Sequence, residues 1–289
     1  EHTALCGSER YPVRDPFFMM LRRSLNTFMN AFTSSDWTAY PFATQNRKDF
    51  GNLLDVYLDA VFFSRLDPLD FAQEGHRVEF ENDDSTQPLV FKGVVFNEMK
   101  GAMSSTPSIL WDRLCHELFP SNTYHFNSGG DPEHIPDLSF QELRDFYAEH
   151  YHPSNAIFLT FGDISAEAHQ HVFEAQVLQR FEALERKIEV ALETPFTAPA
   201  QATHPYAVDA VEGTEKKTHL VMGWKLGESA DLTAMLEAQL VSSVLMENSA
   251  SPLMHYLETT DRGTAPSPLC GLEESMREMV FCCGIEGSE

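Results

Sequence analysis

The sequence predicts an α+β fold, with helices interleaved among mainly antiparallel strands. Three observations predict it. Apolar stripes at helical spacing alternate with short, β-rich runs along the whole chain. Residues 194–205 hold three Pro, three Thr and few large apolar groups, which marks a linker. Beyond that linker a similar order of strand and helix starts again, without a clear sequence repeat.

Taken in order, residues 1–10 read as the end of a helix that Gly7 can terminate. Arg14-Asp15-Pro16 starts a helix to about Met29, with Pro suited to the first turn and Phe17, Leu21, Leu25 and Phe28 at helical spacing. Trp37 to Ala43 reads as a strand pair, with Pro41 favouring an edge. Asp49–Phe63 is a helix striped by Leu53, Leu54, Tyr57, Leu58, Val61 and Phe62. A short helix at 68–75, a strand at Arg77–Glu81 and a polar loop to Ser85 follow. Leu89–Phe96 is extended and turns into a helix that carries Glu98 to about Met103. A helix covers Ser108–Phe119. Ser139–His150 is another, with Ser139 and Glu142 forming a capping box. Ala156–Gly162 is expected as a buried strand, and Ser165–Glu193 as a long helix. After the linker come a strand at Lys216–Leu226, helices at Asp231–Met246 and Leu253–Thr259, and a strand at Met279–Gly284.

Composition narrows function. A net charge of −24 argues against nucleic acid, whose phosphates need basic surface, and is compatible with basic peptides. No apolar run reaches the ~18 residues of a membrane span, so membrane insertion is not expected. Five Cys without CxxC spacing suggest neither a disulfide framework nor a zinc knuckle. Cys282-Cys283 reads as buried thiol.

The chemistry-bearing residues are Glu1-His2 and, far along the chain, Glu98. Zinc takes His nitrogen and carboxylate oxygen, and a catalytic site leaves one position open for water. A Glu beside such a His can take the water's proton. Glu1-His2 reads as the second half of His-x-x-Glu-His, a helical motif whose two His, four apart, share a face. The first His of that motif would precede Glu1.

Longer stretches carry a resemblance. They are Glu1 to Ser8, Ser24 to Thr33, Asp55 to Phe62, Lys92 to Gly101, Asn122-Thr123-Tyr124, Ser128 to Pro132 and Tyr151 to Asn155, with a weaker match at Ala250-Ser251-Pro252-Leu253. The chain resembles the inverted-motif zinc metallopeptidases of the pitrilysin and insulin-degrading class, closest to the presequence-protease branch. The resemblance implies domains of the LuxS-like metallohydrolase type, an α/β sandwich with mainly antiparallel sheets. Residues 1–193 would be a catalytic-type domain lacking its first strands and first zinc His, 194–205 the linker, and 206–289 the start of a second such domain. It implies Glu1 as general base, His2 and Glu98 as Zn2+ ligands, and Asn30, Ala31 and Phe32 on an edge strand that binds peptide substrates. An edge strand offers unpaired backbone groups to an extended peptide. The implied partners are peptide substrates and the remaining domains of a longer chain. The implied activity is peptide-bond hydrolysis of short unfolded or targeting-type peptides, with this piece inactive alone. The implied compartment is a bacterial cytoplasm or periplasm, or an organelle matrix.

A non-catalytic relative that binds peptides is the alternative, disfavoured because Glu1, His2 and Glu98 are all present. A free-standing acidic scaffold is a third reading, and it would show no stabilisation by zinc. Other candidates read as structural. Glu149, His150 and His152 lie at a helix end and point apart, Cys115-His116-Glu117 diverge on a helix, and His169 and His171 are expected on a solvated helix face. The Gly129-Gly130 turn has no P-loop lysine after it, and no Gly-x-Ser-x-Gly elbow occurs.

Overall fold

The computed structural model describes residues 1–289 apart from Arg186, Ala210 and Glu212. Arg186 falls in the expected long helix and the other two in the expected second domain; all three lie outside the described residues. A 3-10 turn at His2–Leu5 opens the chain. It is followed by α1 (Pro16–Arg23), β1 (Asn26–Met29), β2 (Phe32–Thr33), β3 (Thr38–Ala39), β4 (Phe42–Thr44), α2 (Arg47–Phe62), α3 (Pro68–Glu74), β5 (Arg77–Phe80), β6 (Leu89–Lys92) and α4 (Val94–Ala102). Then come α5 (Thr106–Leu118), α6 (Phe140–His150), α7 (Ala166–Gln176), β7 (Thr218–Glu228), α8 (Leu232–Met246), α9 (Pro252–Thr259), β8 (Ala265–Pro266), β9 (Gly271–Glu273) and β10 (Glu278–Ser288). The expected α+β class holds. β1 pairs β4, β2 pairs β3, β5 pairs β6, and β7, β8 and β9 each pair β10, all antiparallel. No helix among the described residues is long and apolar enough to cross a membrane.

The chain divides into two compact units, Glu1–Lys100 with Ser128–Glu189, and Gly101–Asn127 with Val190–Glu289. In the first, α2 is the organising element. Asn46 caps it by accepting from Lys48 N and Asp49 N. One side of α2 presents Leu58 and Phe62 to Phe173 and Val177. Leu53 and Tyr57 pack with Met29. Asp59, on the same helix, is fully buried and accepts from Arg10 N at 2.8 Å and Arg10 Nε at 2.9 Å. That ion pair ties the segment after the first turn to α2. The capping box at Ser139 and Glu142 forms as the sequence predicts.

In the second unit β10 is buried along most of its length. Its period-2 alternation splits two cores. Val280 and Cys282 join Leu118, Phe119, Tyr124 and Met276, while Cys283 and Ile285 join Met246 and Leu257. The Tyr124 hydroxyl accepts from Arg277 N at 2.7 Å, so the buried phenol is satisfied.

Several local expectations fail. Residues 1–10 form one 3-10 turn, not a longer helix. The helix expected to Met29 stops at Arg23, and Asn26–Met29 is strand. Sheet pairing with Phe42–Thr44 outweighs a helical stripe that Asn26 and Thr27 support poorly. The helix expected over Ser165–Glu193 ends at Gln176, because Val177 leaves helical geometry and buries its side chain with Phe173. Ala156–Gly162 is neither strand nor buried. Ile157 is 95% exposed and Phe161 100%, and Phe158 alone of that stretch packs, against Phe62 and Phe173. A strand exists only with a hydrogen-bonded neighbour, and no described residue supplies one here. His169, expected in solvent, is buried between Phe50 and Phe173.

Arg10 is 39% exposed, and Arg10→Met would leave the buried Asp59 with only the backbone N–H of residue 10. That variant should lower unfolding free energy by about 2 kcal/mol, and Ser139→Ala by about 1 kcal/mol. Urea unfolding of the two variants checks the ranking.

Candidate active site

Three segments of the first unit build the site. The His2–Leu5 turn carries Glu1 and His2, the end of α3 carries Glu74, and the first turns of α4 carry Glu98. Two glycines set the last two against each other. A Cβ on Gly93 would lie 2.0 Å from the Gly75 carbonyl oxygen, so a side chain there would push α4 away from α3. Phe96 N instead donates to Gly75 O at 3.4 Å. From behind, Met99 packs where a Cβ on Gly129 would be, with its Sδ only 2.1 Å from that position. Glu98 thus sits on a helix held on two sides.

His2 is the hub. Its Nδ1 lies 3.1 Å from Glu74 Oε2, its Nε2 3.8 Å from Glu98 Oε2 and 4.0 Å from Glu1 Oε2. Of the two ring nitrogens only Nδ1 lies within hydrogen-bond distance of a carboxylate, so the tautomer with its proton there donates to Glu74 and leaves Nε2 as the nitrogen that faces Glu98 and Glu1. The structure therefore brings together Glu1, His2 and Glu98, which lie far apart in sequence. Two donors each about 2.1 Å from one zinc ion stand about 3.4 Å apart at a tetrahedral angle and at most about 4.2 Å apart. The 3.8 Å between Nε2 and Oε2 lies inside that range. Donor chemistry and spacing fit a zinc ion for these two residues. No group of three or more His, Cys, Asp and Glu arranged for a metal occurs among the described residues.

The expected peptide-binding residues lie beside this cluster. Thr33 Oγ1 donates to Glu1 Oε2 at 3.4 Å, which places β2 next to Glu1. Phe32 belongs to β2, is 43% exposed, and stacks on Phe28 with ring centroids 6.3 Å apart. Asn30 and Ala31 precede the strand, and Asn30 N donates to Pro41 O at 3.1 Å. Among the described residues β2 pairs with β3 alone, so its other backbone edge has no sheet partner.

Glu74 escaped the sequence reading. No motif names it, and the signal that exists is weak: an acid closing a helix where the dipole favours a cation. Burial and neighbouring carboxylates tune other groups nearby. Burial, then Glu74 and Asp70, push the Cys6 thiol up to about 12. Burial, then Tyr151 and more distantly Glu1, keep Tyr40 protonated, and its hydroxyl lies 2.8 Å from that of Tyr151. Elsewhere, His150 stacks on Phe146 and bonds Phe146 O, and His152 Nδ1 accepts from Ser154 N. Burial also pushes Cys115 up to about 12.

Comparisons with known proteins agree with one another. The family described as the peptidase M16 inactive domain matches residues 137–285. The mitochondrial presequence protease of Danio rerio is 47% identical over 289 residues, covering 99% of this chain and 28% of that protein. The Xenopus tropicalis protein of the same name is 45% identical with the same coverage. The chain thus spans a little over a quarter of these relatives. A protease from Helicobacter pylori shares the fold at a TM-score of 0.71 and 18% identity, covering 100% of this chain and 64% of that one. Pitrilysin does so at 0.57 and 16%, covering 99% and 28%.

A thiol whose pKa is raised to about 12 holds little thiolate at pH 8, and the thiolate is the reactive form. Native Cys6 should therefore resist iodoacetamide at pH 8 and label readily once the protein is unfolded in urea. Its labelling should quicken as pH rises towards 12. Peptide mass spectrometry measures both.

Proposed function

The chain belongs to the peptidase M16 family, and from that premise we propose that it is the metal-binding part of a zinc metalloendopeptidase acting on short unfolded or targeting-type peptides. The observation that carries this reading is the convergence of Glu1, His2 and Glu98 on the space before His2 Nε2. The 28% coverage of full-length relatives supports a longer parent protein. In this reading residues 1–193 are its first domain, 194–205 a linker and 206–289 the start of the next, although the compact units of the fold cut across these bounds.

Zinc bound here supplies a Lewis acid that lowers the pKa of a water and polarises the substrate carbonyl. His2 Nε2 and Glu98 Oε2 would hold it. Glu1 accepts a proton from the attacking water. The water oxygen bonds to the scissile carbon, and Glu1 returns the proton to the amine nitrogen as the C–N bond breaks. The free edge of β2 aligns an extended peptide through backbone hydrogen bonds, whatever its side chains. Exposed Phe28 and Phe32 favour an apolar side chain beside the scissile bond. A non-catalytic peptide binder would leave the convergent carboxylates without a task.

In the full-length protein, Glu1→Gln should keep its zinc and lose cleavage of a fluorogenic peptide by at least about a hundredfold, because the proton acceptor alone is removed. Glu98→Ala should lose zinc by elemental analysis; full zinc and full rate in this variant would overturn the assignment. The 289-residue chain alone should cleave far more slowly than its parent, since two protein ligands hold zinc less well than three.

A further inference from the structure

Glu74 has no role in the proposed hydrolysis, yet it makes the shortest polar contact to His2, 3.1 Å from Oε2 to Nδ1. Its side chain is 12% exposed against 63% for Glu98. Both of its oxygens are occupied. Oε2 takes the imidazole, and Oε1 accepts from Gln73 Nε2 at 2.8 Å, whose own Oε1 takes Arg14. A carboxylate at the last position of a helix opposes the dipole. The contacts to His2 and Gln73 offset that cost.

Resting on the metal reading above, we propose that Glu74 is a positioning residue for the zinc ligand His2. It holds the proton on Nδ1, turns the ring so that Nε2 faces Glu98 and Glu1, and raises the basicity of that nitrogen. A ligating imidazole whose far nitrogen donates to a carboxylate binds metal more tightly, and loss of such a partner typically weakens affinity about 10–100-fold. The Gly75–Gly93 contact fits this role, because it fixes the residue after Glu74 against the helix that carries Glu98. One backbone junction thereby sets the separation between the residue that aims His2 and the residue that shares its ion.

The test is zinc affinity of the full-length protein, measured by competition with a chromophoric chelator, together with the visible spectrum of the Co(II)-loaded form. Glu74→Ala should bind zinc about 10–100-fold more weakly, with weakened or shifted cobalt bands. Glu74→Gln keeps an acceptor but not the charge, and should recover part of the affinity. Glu98→Ala is the reference. If it binds zinc normally, the metal reading itself fails. If it loses zinc while Glu74→Ala stays within twofold of wild type and only the metal-free melting temperature falls, Glu74 merely ties α3 to the first turn and this proposal is overturned. Equal loss in Glu74→Gln and Glu74→Ala, with an unchanged cobalt spectrum, also overturns it.

Discussion

Which nitrogen of His2 carries the proton decides what the surrounding groups can do. With Glu74 against Nδ1, the lone pair on Nε2 points at two further carboxylates. Rotate the ring, or move the proton, and the same residues lose their common focus. That orientation rests on backbone more than on side chains. The end of α3 and the start of α4 touch where Gly93 has no Cβ, and the packing of Met99 at Gly129 closes the other side.

Charge makes the arrangement costly in isolation. Glu1, Glu74 and Glu98 all lie within 4.0 Å of one imidazole. A divalent cation between Nε2 and the carboxylates of Glu1 and Glu98 would offset the crowding of negative charge there. The exposure of Glu98 leaves its side open to solvent and to an arriving ion or peptide. The wider acidity of the chain, at −24, is compatible with basic peptides.

Much of the fold was legible where one local signal acted without competition. α2 follows its apolar stripe and its Asn46 cap, and α6 follows the Ser139 capping box. The Arg77–Phe80 and Leu89–Lys92 strands pair as their β-rich residues suggest. Where two signals compete, the sequence misleads. Phe17, Leu21, Leu25 and Phe28 form a helical stripe, but Asn26–Met29 gains more from Phe42–Thr44 as a strand. Ile157, Leu159 and Phe161 carry the composition of a buried strand, yet both burial and strand character depend on a neighbour that no described residue provides. His169 shows the reverse: a polar residue on a polar helix is drawn inward by two aromatic rings.

The sequence by itself determined the class of the fold and supplied the candidate groups Glu1, His2 and Glu98. An adjacent acid and imidazole, a distant carboxylate and a pattern of stripes and turns are properties of the chain and need no coordinates. The tertiary structure alone decided that His2 and Glu98 stand 3.8 Å apart, and that Glu74 lies 3.1 Å from the other ring nitrogen of His2. Such meetings depend on long-range packing, here two glycines that let one backbone approach another, and no local periodicity encodes a distance across the fold.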